Sequence, residues 1–220
     1  EPLRRMPWIE AMEKYGSDKP DLRFGFELKD ISDIVKDCGF SVFSSAVQGG
    51  GSVRLINVDG PAADFPRKKI DKLAEFVKTY KAKGLAWTRL HDGQVTSSYQ
   101  KFLTEEEMTR LLTAAGAEKG DVVLIVADTV KKHVLTTLGA LRVELANKLS
   151  IEKKGLGLLW ITAFPFFEWD EESQSWLAMH HPFTMPREED LDYLESAPHK
   201  VRAKAYDIVL NGCLLYTSDA

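Results

Sequence analysis

Runs of strand-like and helical periodicity alternate between residues 38 and 127, and this alternation limits the folds open to the chain. Ser52–Val58 and residues 121–126 are apolar and β-branched, while a helix with one apolar face begins near Pro66. Residues 40–43 and 84–90 are also predicted strands, and Thr104 begins a capping box that opens another helix. Alternating strands and helices can bury their apolar faces against one another, so this stretch predicts a small α/β domain with its own core.

The flanking segments predict a different arrangement. A helix over Trp8–Tyr15 ends at turn residues and a proline, and a long amphipathic helix follows Asp128, which is its expected N-cap. Strands separated by loops, with one acidic helix between them, predict an α+β fold with a largely antiparallel sheet. The predicted strands are residues 156–162, 177–181 and 203–210, and the predicted acidic helix is residues 187–194.

Composition excludes several classes of protein. The net charge is −4 and the pI is about 5.8, so no strong overall field draws the chain onto nucleic acid. Cys38 and Cys213 lie far apart and lack metal-ligand spacing, which is typical of a reduced intracellular protein. No apolar string approaches the roughly 20 residues that cross a bilayer, and the N-terminus has no signal-peptide pattern. We therefore expect a cytoplasmic protein.

Two charged or flexible features have alternative interpretations. The glycines at 49–51 predict a turn, because the β-branched residues after them exclude the helix that a phosphate-binding loop requires. Residues 66–83 contain seven basic residues and two acidic ones, which gives a local charge of +5. This basic stripe could contact RNA phosphates, but a solvated lysine-rich face is the commoner meaning of such a pattern.

The pair His180 and His181 follows an apolar run and precedes Pro182. Burying two imidazoles is costly without partners, so the pair indicates a site for a charged ligand. On a strand, neighbouring side chains point to opposite faces, and we therefore expect the two rings to have different roles. An imidazole can become charged when a carboxylate arrives, which suits recognition of a dicarboxylic amino acid. The alternative is that both rings simply satisfy backbone or carboxylate partners.

Asp207 lies between apolar neighbours on a predicted strand and needs a compensating charge. Either Mg²⁺ bridged to a nucleotide phosphate or an arginine partner would supply that charge. His91, His133 and His199 lie in polar contexts and are expected at the surface.

Six segments, taken in order, resemble the bacterial-type aspartyl-tRNA synthetases, a class II family. The resemblance covers residues 6–213, and YGSDKPD with MHHPF is its most specific part. The segments are YGSDKPDLRF at 15–24, KAKGLAW at 81–87, LGALR at 138–142, FPFFEWD at 164–170, MHHPF at 179–183 and AYDIVLNG at 205–212.

The resemblance implies part of an antiparallel-sheet catalytic domain, residues 1–37 and 128–213, interrupted by a GAD-type insertion domain at 38–127. It implies that His180 contacts the substrate L-aspartate, that His181 supports it, and that Asp207 helps to hold Mg²⁺. The complete enzyme would activate aspartate with ATP and transfer it to tRNA(Asp); charging of tRNA(Asn) stays open, and a homodimer is implied. The family's other class motifs fall outside this chain, so we expect the fragment alone to be inactive.

The sequence departs from the family pattern at two places. Residues 214–220 replace a glutamate- and glycine-rich run, and we expect this tail to be non-native. Ala163 stands where the family usually has aspartate. An alternative function is a noncatalytic RNA- or protein-binding module, related to the insertion domain of an amidotransferase subunit. A binding module, however, has no use for a substrate-binding histidine near a metal-binding aspartate.

Overall fold

The structure is a computed structural model that describes residues 3–215. In chain order, the strands are β1 Arg4–Pro7, β2 Lys29–Asp30, β3 Ser52–Val58, β4 Ala86–His91, β5 Gln94–Ser97, β6 Val122–Asp128, β7 Leu158–Thr162, β8 Phe167–Asp170, β9 Ser175–Ala178, β10 Tyr206–Leu210 and β11 Cys213–Leu215. The α-helices are α1 Trp8–Tyr15, α2 Ser32–Val35, α3 Ser41–Gln48, α4 Arg67–Lys78, α5 Glu105–Ala115, α6 Lys131–Lys148 and α7 Tyr193–Ser196.

The chain divides into two compact units. Within the described residues, the first unit contains residues 3–12, 18–23 and 154–215, and the second contains residues 13–17 and 24–153. No helix within residues 3–215 combines the length and apolar character that crossing a membrane requires.

The second unit is built on a five-stranded antiparallel sheet of order β2-β3-β6-β4-β5. Its central pair runs in register from Ser52 opposite Asp128 to Val58 opposite Val122. Alternate residues of β3 and β6, such as Leu55, pack with α2, α3 and α5 in one core, and the residues between them face the side where α4 and α6 lie. Burial on both faces explains why β6 is apolar from Val122 to Ala127 without a polar alternation.

The first unit contains a four-stranded sheet of order β1-β7-β10-β11, in which β1 runs parallel to β7 and the other pairs are antiparallel. A separate antiparallel hairpin joins β8 to β9. The turn between β10 and β11 consists of Asn211 and Gly212, both with positive φ, which is the signature of a two-residue hairpin turn. The Asn211 side chain also accepts a hydrogen bond from the backbone N–H of Gly157 at 2.9 Å.

Several sequence predictions are confirmed. The class is α+β with mainly antiparallel sheets, α1 and β3 have the predicted bounds, and Thr104 and Glu107 form the predicted capping box. The glycine run lies between α3 and β3, so no helix follows it.

Other predictions are wrong in their local structure. Residues 40–43 belong mainly to helix α3 rather than to a strand, because Phe43, Ala46 and Val47 recur at helical spacing on one packed face. The acidic segment 187–194 is divided into a short 3-10 helix and the start of α7. Asp128 accepts from the backbone N–H of Val130, the residue before α6, and therefore does not cap that helix.

Two further predicted strands are shorter than expected. The strand predicted over 177–181 ends at Ala178, so both histidines follow β9 instead of lying on it. The strand predicted over 203–210 begins at Tyr206, and Ala203 makes only an isolated bridge to Pro186. Of the predicted non-native tail, Leu214 and Leu215 lie in β11, and residues 216–220 lie outside the described part of the chain.

Candidate functional site

Three segments that are distant in sequence meet in the first unit. Asp207 on β10 has Asp18, Lys19 and His180 close enough to influence the pKa of its carboxyl. Asp18 and Lys19 come from the loop after α1, and their side chains form an ion pair of 3.1 Å. The YGSDKPD and MHHPF segments and β10 therefore place charged groups around one carboxylate.

The His180 ring is held in a defined orientation. It is half-buried and packs edge-on against Phe164, with ring centroids 5.5 Å apart. Its Nε2 lies 3.2 Å from the carbonyl oxygen of Pro165, which can only accept, so Nε2 carries the hydrogen. The opposite nitrogen, Nδ1, is then the atom that can take up a proton or meet a ligand.

His181 is exposed and its ring is held by its own turn. Its Nδ1 accepts a hydrogen bond of 3.3 Å from the backbone N–H of Phe183, whose ring lies 4.8 Å away. The two histidines thus have different surroundings. This difference comes from the turn at Pro182 and not from the strand alternation that the sequence predicts.

Asp207 lies opposite Ile161 in the pairing of β10 with β7. Partial burial raises the pKa of the Asp207 carboxyl, and the nearby Asp18 carboxylate raises it further. His180 and Lys19 act in the opposite direction. A carboxylate that is disfavoured in its charged form can accept a cation or share a proton with a ligand.

Replacing Asp207 with asparagine is expected to stabilise the chain at neutral pH. A raised pKa means that folding favours the protonated form of the Asp207 carboxyl. Its contribution to the free energy of unfolding is fully present below the ordinary pKa of 3.8, and it is lost as pH rises through the folded-state pKa. An asparagine side chain carries no charge at any of these pH values. We expect Asp207→Asn to melt at a higher temperature than the wild type at pH 7, with a gain in unfolding free energy of no more than about 1 kcal/mol, since solvent screens a half-exposed charge.

The measurement is thermal unfolding between pH 4 and pH 8, where the difference should shrink as pH falls. Glu172→Gln removes an exposed carboxylate in the same unit and serves as the control. A melting temperature for Asp207→Asn that is at or below the wild-type value at pH 7 would contradict the expectation.

The loop that carries Asp18 is supported by an internal ion pair. The Arg23 guanidinium donates to both carboxylate oxygens of Asp21, at 2.9 and 2.8 Å, which raises the pKa of Arg23. Gly212 lies directly against this pair, because a Cβ at Gly212 would come within 3.1 Å of the Asp21 Cβ. The residue pattern alone predicts only a helix stop here. YGSDKPD is among the most specific parts of the family resemblance, but the sequence analysis does not predict Asp18 and Lys19 as site residues.

Asp207 has the right chemistry for Mg²⁺, since a carboxylate oxygen is a preferred ligand of hard cations. Within residues 3–215, however, no group of three or more His, Cys, Asp or Glu side chains could hold a metal ion. The described residues therefore do not form a complete metal site around Asp207.

Ala163 follows β7 and adopts φ of +55°, in the left-handed region. Aspartate and asparagine tolerate this conformation better than alanine, because their side chains can hydrogen-bond locally. Alanine at position 163 therefore strains the backbone beside Phe164, which packs on His180.

The remaining histidines lie elsewhere. His91 and His133 are partly exposed in the second unit, and His199 is exposed in the first. The second unit also contains a cavity of about 530 Å³ beside α3, β4 and β6, and no predicted site residue lines it.

Comparison with known proteins identifies the central part of the chain. The GAD domain family matches residues 43–138. This central part of the chain is therefore similar to the GAD domain family. The matched residues lie inside the second unit and run from Phe43 in α3 to Leu138 in α6, whereas the sequence predicts an insertion domain bounded at 38 and 127.

Nearly the whole chain, including the stretch that matches the GAD domain family, is similar to bacterial aspartate–tRNA ligases. It is 56% identical over 213 residues to the enzyme of Clostridium botulinum, and 54% identical to that of Ruminiclostridium cellulolyticum. It is 55% identical to the aspartate–tRNA(Asp/Asn) ligase of Lachnoclostridium phytofermentans. Each match covers 96% of this chain but only 35 or 36% of the relative, so the chain spans about a third of their length. The chain is homologous to the region of these ligases that includes the GAD domain.

Proposed function

We propose that the complete protein is an aspartate–tRNA ligase. It would condense L-aspartate with ATP to give aspartyl-adenylate and pyrophosphate, and then transfer the aspartyl group to tRNA. The observation that carries the proposal is the oriented His180 ring beside Asp207, Asp18 and Lys19, in a chain more than half identical to named ligases. The relatives extend well beyond this chain, so we expect the chemistry to need residues outside it.

His180 is proposed to bind the side-chain carboxylate of aspartate. With Nε2 donating to Pro165, the Nδ1 side can bind a proton and then the anionic carboxylate, which gives a charge-assisted hydrogen bond. His181 holds the turn that follows by accepting from the Phe183 N–H, and so supports the position of His180.

Asp207 is proposed as one oxygen ligand of Mg²⁺, with the other ligands outside the described residues. When bound, Mg²⁺ would neutralise charge on the nucleotide phosphates. Lys19, which lowers the pKa of Asp207 through its charge, supplies a further positive charge in the same region. The loop residues Asp21 and Arg23 keep this region in place through their paired contacts.

The proposed partners are L-aspartate, ATP and tRNA(Asp). One relative is named for both tRNA(Asp) and tRNA(Asn), so tRNA(Asn) is proposed as a second acceptor to be tested by direct charging. We further propose a cytoplasmic homodimer. Residues 38–127 are proposed as an insertion between two catalytic segments, 1–37 and 128–213, with residues 214–220 as a non-native tail.

Replacing His180 with alanine in the complete enzyme is expected to raise the KM for aspartate by roughly 10- to 100-fold, the equivalent of one hydrogen bond to a charged group. The KM for ATP should change much less, because the ring is proposed to meet aspartate alone. The measurement is aspartate-dependent exchange of pyrophosphate into ATP, which reports adenylate formation without tRNA. His199→Ala, an exposed histidine of the same unit, should behave as the wild type.

Two results would distinguish failure of the role proposed for His180 from failure of the ligase proposal. An unchanged aspartate KM in His180→Ala, with active enzyme, would remove His180 from the aspartate site and leave the ligase activity standing. A complete wild-type protein with no exchange activity would contradict the ligase proposal itself and favour the binding-module alternative.

A further inference from the structure

Helix α4 and the turn after it present a strongly basic surface in the second unit. The surface is made by cations on α4 and in the turn that follows, and they are all exposed; we call it the α4 basic face. Its members are Arg67, Lys68, Lys69, Lys72, Lys78, Lys81 and Lys83.

The charge of the α4 basic face is opposite to that of the rest of the chain. Residues 66–83 carry +5 while the whole chain carries −4, so the remaining residues sum to −9. Solubility requires only charge of either sign, so it does not explain why one helix and its following turn carry mostly cations. Such segregation is typical of a surface that meets a polyanion.

The packing of α4 fixes which side of the helix faces the solvent. Ile70, Leu73 and Val77 are fully buried on one stripe of the helix. Lys68 and Lys72 are four residues apart and Lys69 and Lys72 are three apart, so these side chains neighbour one another on the exposed surface. The twelve residues of α4 span about 18 Å, which is long enough to follow several phosphates of a nucleic-acid strand.

The position of the charges within α4 is unfavourable for the helix itself. The first turn contains Arg67, Lys68 and Lys69 and no acidic residue, although the N-terminal end of a helix carries partial positive charge. Acidic residues at these exposed positions would stabilise the helix by a few tenths of a kcal/mol each. Three cations where helix stability favours anions indicate that the charge serves an external ligand.

Little internal charge neutralises this end of the helix. Glu75, one of the two acids of α4, is engaged by Lys78 at 2.6 Å. Within residues 3–215, Arg67, Lys68 and Lys72 make no ion pair with a carboxylate. Lys69 lies 5.9 Å from the Phe65 ring, a contact that leaves its charge uncancelled.

We propose that the α4 basic face of the GAD domain binds the phosphate backbone of RNA, and that in the complete protein this RNA is the tRNA substrate. The inference rests on the proposed ligase function for the identity of the RNA. Lysines act as point charges on phosphates, so the face contributes affinity without reading bases. Binding therefore depends steeply on salt concentration.

The test uses the complete protein and a fluorescently labelled tRNA(Asp) transcript. Reversing three charges in Lys68→Glu/Lys69→Glu/Lys72→Glu is expected to weaken tRNA binding roughly 10- to 100-fold at about 0.1 M salt. The slope of log affinity against log salt should become shallower by about 2 to 3, because each lysine that no longer meets a phosphate lowers the slope by about 1. A neutral variant with glutamine at the same three positions should show the same slope change with a smaller decrease in affinity.

The matched control reverses three exposed charges on the opposite side of the sheet, in Lys36→Glu/Lys101→Glu/Arg110→Glu. It should keep the wild-type affinity and slope. Wild-type affinity and slope in the α4 variants, or an equal decrease in the control, would overturn the proposal and leave a solvated face. Pyrophosphate exchange needs no tRNA, so its absence in the wild type would signal failure of the ligase proposal, independently of the binding result.

Discussion

Replacing Gly139 with alanine is expected to destabilise the second unit by about 3 kcal/mol or more. Gly139 lies in the middle of α6, where it touches Gly16 of the loop after α1. A Cβ at position 139 would come within 2.2 Å of the carbonyl oxygen of Gly16 and 2.7 Å of its carbonyl carbon. Both obstructing atoms belong to the backbone, so no side chain can rotate away, and the two segments must separate.

The expected loss of stability is opposite in sign to the usual effect of replacing a helical glycine with alanine. Glycine in the middle of an ordinary helix costs about 1 kcal/mol relative to alanine, so the same substitution at a solvent-facing position would stabilise the helix. Gly16 has φ of +64° and its own Cβ would lie 2.1 Å from the Leu135 carbonyl oxygen, so the close approach is required from both sides. The glycines allow two backbone segments to meet where no other residue pair fits.

Hydrogen exchange of the β3 and β6 amides would report the stability of this unit separately from the other one. Val143→Ala is the control, because Val143 is an exposed position of the same helix and should change stability by no more than about 0.5 kcal/mol. Protection in Gly139→Ala equal to or above that of the wild type would show that the backbone contact does not hold the unit together.

The sequence predicts elements best where one strong local signal acts alone. The capping box at Thr104 and the β-branched run of β3 are such cases. It fails at α3, because Phe40, Val42 and Phe43 have strand propensity, while packing on the sheet imposes a helical period on Phe43 and Ala46. Propensity is weak compared with the burial of an aromatic ring.

The error at His180 has a different cause. Strand β9 ends at Ala178 because its partner β8 begins at Phe167. Just before Phe167 the chain changes partner: the Phe166 carbonyl still accepts from the Met179 N–H at 3.1 Å, but the Phe166 N–H donates to the Val201 carbonyl at 2.8 Å. This end is set by the partner strand, so local patterns could not show it. The same holds for Asp18 and Lys19, whose meeting with Asp207 is purely tertiary.

Replacing Arg142 with methionine is the second change for which we expect a large effect, about 3 to 6 kcal/mol of unfolding free energy for the loss of two hydrogen bonds from a charged donor. Arg142 is only 1% exposed although it carries a charge. Its Nε donates to the Gly25 carbonyl at 2.9 Å and its Nη2 to the Phe24 carbonyl at 2.7 Å. The guanidinium also stacks on the rings of Phe24 and Tyr15, with Cζ 4.1 and 4.9 Å from their centroids.

Methionine has a similar volume but no donor, so it would leave two carbonyl groups without their hydrogen bonds while keeping most of the packing. Arg142→Lys provides the internal comparison. A lysine keeps the charge but is a point donor, so it cannot reproduce the planar fork or the stacking, and we expect a destabilisation roughly half that of methionine. Hydrogen exchange of the same β3 and β6 amides measures both variants.

The two substitutions together distinguish the possible roles of the Arg142 charge. If Arg142→Met proved as stable as the wild type, the guanidinium would contribute only volume. If Arg142→Lys matched the wild type, charge alone would be sufficient and the bidentate geometry irrelevant. The LGALR segment contains both Gly139 and Arg142, which contact Gly16 and Phe24 of YGSDKPDLRF. The two segments therefore meet through a backbone contact between glycines and through hydrogen bonds from the Arg142 guanidinium. Packing of the second unit thus constrains the residues at these positions.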